Sequence, residues 1–215
     1  MILLTGGAGF IGSNVLAALN QREIRDIILV DNLNSQKKIL NIKKMNYEHF
    51  IPKNELWSWL AKNNPNLSLI IHLGACTNTT ENNMDYLKTN NIEYSKKLWG
   101  IATERHIPFV YASSAATYGA GHEGFSDAHD YLGRFKPLNK YGLSKHIFDR
   151  WVLNKKDNPP NWAGLKFFNV FGPNEYHKKN MASAIHKFIL QAKDNGSVKL
   201  FKGSHGFADG EQKRD

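Results

Sequence analysis

Residues 1–12 read MILLTGGAGFIG. A short apolar run comes first, then Gly6, Gly7, Gly9 and Gly12, then a helix-compatible stretch. The next apolar run, DIILVD at residues 26–31, ends in Asp31, 19 residues after Gly12. Strand, glycine-rich turn, helix, strand and acidic residue in that order form a βαβ unit suited to a dinucleotide. Glycine lets the backbone turn sharply and approach a pyrophosphate with no Cβ in the way. The helix N-terminus then offers free N–H groups and partial positive charge to the phosphates. Glycine-rich turns also occur for purely structural reasons. The flanking strand, helix and spaced acid favour the nucleotide.

A length of 215 residues suits one α/β domain, or one domain plus part of another. A hydrophobic content of 41% is ordinary for a globular chain. No apolar run approaches the roughly 20 residues that span a bilayer. The first apolar stretch is short and has no basic region before it, so it does not read as a signal peptide. Met1 leads directly into the first strand, which reads as a complete start. Cys76 is the sole cysteine. It excludes an intramolecular disulfide and a cysteine-cluster metal site, and it fits a reducing cytoplasm. It reads as a small buried residue and not as a nucleophile. The net charge is +9, with basic residues spread along the chain. No zinc-finger spacing or RNA-binding signature accompanies them, so an anionic cofactor and substrate account for the bias better than nucleic acid.

Apolar runs alternate with helix-like stretches. Strands are predicted at 1–5, 26–31, 47–51, 68–74, 107–113 and 162–169. Helices are predicted near 11–21, 54–62, 83–105, 140–156 and 180–194. Runs such as LIIHLGA and PFVYASS are almost wholly apolar, as parallel strands covered on both faces require. The alternation predicts an α/β fold with a Rossmann-type doubly wound parallel sheet. Residues 158–161, NPPN, form a connector, and 120–136 reads as a loop.

Tyr141 and Lys145 form a YxxxK pattern. On a helix, i and i+4 share a face, so phenol and ammonium are neighbours. The positive charge is expected to lower the tyrosine pKa and make it a general acid or base near neutrality. Alone the pattern is common by chance on solvated helices. Ser113 and Ser114 end the run PFVYASS, and the C-terminal ends of parallel strands are where such sheets place ligands. A serine there can hydrogen-bond a reacting hydroxyl or carbonyl.

Together the glycine turn, Asp31, SSAATYG (113–119) and YGLSK (141–145) resemble the extended short-chain dehydrogenase/reductase superfamily. TGGAGFIGSN (5–14), LVDNL (29–33), GACTNTTE (74–81), IPFVYASSAATYG (107–119), FFNVFGP (167–173), HKKNMAS (177–183) and KLFKGS (199–204) narrow the match. They are similar to the ADP-glyceromanno-heptose 6-epimerase family, over nearly the whole chain. The resemblance implies epimerisation at C6 of ADP-D-glycero-D-manno-heptose by transient oxidation and reduction with a bound nicotinamide cofactor, a step toward lipopolysaccharide core heptose. Inversion needs acid/base groups on both sides of the carbon. By resemblance, Tyr141 matches one base and Lys178 the other, Ser114 the hydrogen-bonding serine, and Lys145 the lysine that holds the nicotinamide ribose. A lysine serves as a base only where burial or positive neighbours lower its pKa. Asn169, Asn180, Lys187, Phe201, Lys202, Gly203, Ser204 and Arg214 match substrate-contacting positions, beside Ser114. Another nucleotide-sugar reductase, a 4-epimerase or a 4,6-dehydratase, is the alternative enzyme. A non-catalytic NADP-binding protein is the alternative of another class.

Asp31 favours a free ribose 2′-hydroxyl and so NAD. Asn32, Lys38 and Lys53 match NADP-contacting positions, and lysines neutralise a 2′-phosphate, so NADP is the expected cofactor and NAD the alternative. Gly6, Gly9, Phe10, Ile11, Gly12, Leu73, Gly74, Ala75, Cys76, Thr77, Asn90, Val170 and Lys178 complete the cofactor positions that the resemblance implies. A cofactor domain is expected over 1–170, and the start of a substrate-binding region over 171–215. Family members continue past a segment ending in Arg-Asp, so most of the smaller C-terminal substrate domain is expected to be missing. The resemblance also implies homo-oligomers in the full-length family.

Overall fold

The computed structural model describes residues 1–203 and 206–211. Six parallel strands form one sheet in the order β3-β2-β1-β4-β5-β6. They are β1 (Ile2–Thr5), β2 (Ile27–Asp31), β3 (His49–Pro52), β4 (Leu69–His72), β5 (Phe109–Ser114) and β6 (Trp162–Phe167). This is the doubly wound order of dinucleotide-binding folds, with its switch point between β1 and β4. Each predicted strand is present. The last one ends at Phe167, short of the predicted 169.

Residues alternate across the sheet and build a core on each face. On one face Leu3, Ile28, Val30, Ile70 and Phe109 pack beneath α3 (Leu56–Asn63), α5 (Tyr94–Glu104) and α6 (Lys140–Leu153). Trp99 is the hub, with Phe109, Phe148 and Trp162 rings around it. On the other face Leu4, Ile27 and Leu29 pack against Leu16 of α1 (Phe10–Gln21) and Ile42 of α2 (Gln36–Ile42).

Three expectations need correction. Helix α2 was not predicted. It has seven residues and buries only Asn41 and Ile42, so it carries little periodicity; its signal is the Ser35 cap, whose hydroxyl accepts from the Lys38 N–H. The predicted helix over 83–105 is α4 (Met84–Leu87), a π-helical turn at Lys88–Glu93, and α5. The loop at 120–136 contains a 3₁₀ segment, His129–Arg134, whose Leu132 packs with Tyr118 and Phe135. Beyond the sheet, α7 (Ala184–Asn195) buries no residue and leaves Ile185, Ile189 and Leu190 more than 40% exposed.

Candidate active site

The glycine turn joins β1 to α1 at the switch point. Gly6 has φ of +71°, and a Cβ there would stand 2.6 Å from the Gly74 nitrogen. The turn therefore lies directly against the 73–77 loop that follows β4. A Cβ on Gly12 would stand 2.1 Å from the Gly6 carbonyl oxygen, so helix and turn meet closely. Helix α1 begins after Gly9 without a side-chain cap and without an acid in its first turn. Its leading N–H groups, from Phe10, Ile11 and Gly12, have the character of an anion site. This cradle fits a pyrophosphate.

Asp31 closes β2 beside it. Its carboxylate accepts from the Ala8 N–H at 2.9 Å and the Asn32 N–H at 2.7 Å, and pairs with Lys38 Nζ at 2.6 Å. Lys53 donates to Asn90 Oδ1 and lies over the Tyr94 ring. Burial lowers its pKa, and the Asp31 carboxylate raises it. One acid and two lysines thus gather at the ends of β2 and β3.

The 73–77 loop is held by side chains that the sequence did not single out. Asn91, in the π turn, accepts from the Cys76 N–H at 2.7 Å and donates to the Cys76 carbonyl at 3.0 Å and to Ser144 Oγ. Ser144 in turn donates to the Tyr141 carbonyl at 2.7 Å. A π turn shifts the side-chain register by one residue, which turns Asn90 to Lys53 and Asn91 to this loop. Behind them Ser95 gives its proton to the Asn91 carbonyl, so His72 Nε2 donates to Ser95 Oγ at 2.8 Å. His72 Nδ1 therefore accepts from Thr5 Oγ1 at 2.6 Å, and Thr5 Oγ1 accepts from the Gly74 N–H. Burial drives the His72 pKa down to about 3, so the ring is neutral. Leu73 is fixed by its N–H on the Thr5 carbonyl. Ala75 and Cys76 are half-buried and Thr77 is exposed. Cys76 is thus not the buried residue expected; it is half-buried and close enough to act electrostatically on Lys53, Tyr141 and Lys145.

Ser114, Tyr141 and Lys145 come together at the end of β5. The Tyr141 phenol hydrogen-bonds Ser114. Lys145 is buried, and its Nζ donates to the Ala112 carbonyl at 2.9 Å. Desolvation lowers the Lys145 pKa to about 8, opposed by the Asp149 carboxylate. The expected lowering of the Tyr141 pKa does not occur in the free chain. Burial pushes the phenol up, and the Ser114 hydrogen bond only partly opposes it. The i, i+4 spacing puts both residues on one helix face, but desolvation is the largest influence on the phenol and sets the direction.

Lys178 lies elsewhere on the rim. Its Nζ stands over the Phe10 ring at 5.3 Å, and burial lowers its pKa while Glu175 raises it. The segment that carries it folds back over the glycine turn. Asn14 donates to the Pro173 carbonyl, Asn41 to the Asn174 carbonyl, and Lys37 to the Tyr176 carbonyl. Glu175 clasps the segment by accepting from the Gly172 N–H and from the N–H and hydroxyl of Ser183. Asn169 and Val170 follow β6, with Val170 37% exposed. Lys187 belongs to α7 and Phe201 meets Phe188, while Lys202 is exposed and the Gly203 N–H donates to Asp209. Ser204 and Arg214 lie outside the described residues, as does the Asn180 side chain. Among the described residues no group of three metal-ligating side chains occurs, and no helix is long and apolar enough to cross a membrane.

The model of the NAD dependent epimerase/dehydratase family matches residues 2–215. An ADP-L-glycero-D-manno-heptose-6-epimerase of Fusobacterium nucleatum is 50% identical over 220 residues, covering all of this chain and 66% of that protein. The enzyme of the same name from Alkalilimnicola ehrlichii is 43% identical, with 67% of its length covered. The crystal structure of the Helicobacter pylori ADP-L-glycero-D-manno-heptose-6-epimerase superposes with a TM-score of 0.77 at 29% identity, over 93% of this chain and 65% of that one. The chain spans about two thirds of the length of these relatives. It belongs to the NAD dependent epimerase/dehydratase family.

Proposed function

We propose that the chain carries the cofactor side and the acid/base groups of a C6 epimerase for ADP-D-glycero-D-manno-heptose, using NADP. The observation that carries this reading is the convergence of Ser114, Tyr141 and Lys145 beside the glycine cradle, with Lys178 separately placed over Phe10. The relatives' names supply the substrate. The bound nicotinamide would supply hydride exchange at the sugar carbon. Tyr141 takes the proton of the C6 hydroxyl on one face, with Ser114 holding the oxygen. Lys145 orients the nicotinamide ribose, and its charge favours the phenolate once ligand displaces water. Lys178 handles the proton on the opposite face, where burial makes its neutral form accessible.

NADP is favoured over NAD by the two ammonium groups, Lys38 and Lys53, gathered at Asp31. Asn32, Asn90, the 73–77 loop and Val170 complete the cofactor contacts. In this reading residues 1–170 form the cofactor domain and the substrate region starts at 171; Asn169 at the end of the first, and Lys187, Phe201, Lys202 and Gly203 in the second, are the described positions assigned to the sugar. The test is to incubate the chain with NADP and ADP-D-glycero-D-manno-heptose, alone and fused to the C-terminal third of the Fusobacterium relative. Formation of the L-glycero epimer, seen by NMR and abolished by Tyr141→Phe, is expected. Substrate returned unchanged by both proteins would overturn the assignment.

A further inference from the structure

We propose that Asp149 is a positioning residue for the Tyr141–Lys145 pair: it ties the end of β5 to α6 and presents a buried carboxylate to the Lys145 ammonium. The inference rests on the reading of Lys145 as the lysine at the nicotinamide ribose. Tyr141, Lys145 and Asp149 are spaced i, i+4, i+8 and share one face of α6. Asp149 is 5% exposed, as is Lys145. Its Oδ2 accepts from Ser113 Oγ at 2.6 Å and pairs with Lys166 Nζ of β6 at 3.1 Å. Its Oδ1 accepts from the Tyr111 hydroxyl at 3.0 Å. Lys166 also donates to Thr117 Oγ1 at 2.6 Å, in the turn after Ser114, and stands over the Tyr118 ring. One carboxylate therefore gathers α6, β5, β6 and the 115–118 turn around the serine that meets Tyr141.

The arrangement also sets a charge. Tyr141 lies one helical turn before Lys145 on α6 and Asp149 one turn after it; His72 and Cys76, from β4 and its loop, interact with Lys145 electrostatically, and its Nζ donates to the Ala112 carbonyl of β5. His72 is held neutral. Asp149 is the carboxylate in this set, and it opposes the desolvation that brings Lys145 down to about 8. A nearby opposite charge is worth about 1–3 pK units. With it, Lys145 remains largely an ammonium at neutral pH; without it, the charge would be lost in that range.

The test follows the Lys145 side chain directly, in the chain without cofactor. Lysine labelled with ¹³C at Cε is titrated by NMR, and Lys145→Arg assigns its signal. Asp149→Asn is expected to lower the Lys145 midpoint by about one pH unit or more. Asp149→Glu, which keeps the charge, restores it to within a few tenths. Lys166→Gln, which disturbs the same buried pair but frees the carboxylate, raises it. An unchanged midpoint in Asp149→Asn would show that Asp149 only supports packing. Where that variant does not fold, Lys166→Gln decides: an unchanged or lowered midpoint overturns the proposal. NADPH titration of the same samples is a separate readout. Absence of binding by the unaltered chain would defeat the cofactor reading while leaving the Lys145 titration interpretable.

Discussion

Replacing Gly9 by alanine should separate nucleotide binding from folding, and replacing Gly12 should not. A Cβ on Gly9 meets only the Gly6 carbonyl oxygen, at 3.1 Å, and the Gly9 backbone is extended, with φ of −74°. A shift of a few tenths of an ångström relieves that contact, so the cost should stay below about 1 kcal/mol. At Gly12 the added carbon stands 2.1 Å from the Gly6 oxygen, 2.7 Å from its carbonyl carbon and 2.8 Å from Gly7 Cα. All three are backbone atoms, so the turn and α1 must separate, at about 1–3 kcal/mol. For a chain of this size that lowers the melting temperature by roughly 2–10 °C. Binding should respond in the other order. Gly9 precedes the first free N–H groups of α1, and its methyl would stand where the pyrophosphate comes in. Losing two charge-assisted hydrogen bonds at about 1.5 kcal/mol each raises Kd by about 10²-fold. Thermal melts and NADPH fluorescence titrations on the same preparations read both effects. A folded Gly9→Ala chain that binds NADPH within threefold of the parent would refute the assigned cradle.

Lys38→Ala should weaken NADP by about tenfold, the loss of one charge-assisted contact, and NAD hardly at all; calorimetric titration giving equal losses would count against the 2′-phosphate role. In the fused protein, Tyr141→Phe and Lys178→Met should each cut epimerisation by about 10²–10⁴-fold while NADPH still binds, and full turnover by Lys178→Met would favour a single base. The 215-residue chain alone should turn over orders of magnitude more slowly than the fusion, because several kcal/mol of the barrier can be lost with orientation; equal rates would contradict that. The buried neutral His72 fixes an acid limb of stability. Its folded pKa of about 3 lies below the unfolded value near 6.5, so the unfolded chain binds the proton first. Stability is retained above about pH 6.5 and falls as pH drops toward 3, by about 2 kcal/mol at pH 5. Urea titrations should show that loss, reduced in His72→Gln relative to its own value at pH 7; identical pH slopes would remove His72 from the account.

The inner strands were legible because runs such as IILVD and FVYASS are largely covered on both faces and so written as apolar runs, whereas the edge strand β6 buries no residue. What escaped has no such imprint. The π turn slips the register by one residue inside a continuous helical pattern, and that slip is what gives Asn90 and Asn91 different partners. The site divides in the same way. Tyr141 and Lys145 announce themselves by helical spacing, whereas the direction of the Tyr141 titration depends on burial that only the packed chain creates. Glu175 closes its own segment through Ser183, eight residues on, which no helix or strand period marks. Asp149 is the intermediate case. Its spacing from Lys145 is in plain sight, but its partners Tyr111, Ser113 and Lys166 come from two other strands. A carboxylate one turn beyond the lysine of a YxxxK pattern is therefore an informative position: its helical period places it beside the ammonium, and the parallel sheet supplies the donors that hold it there.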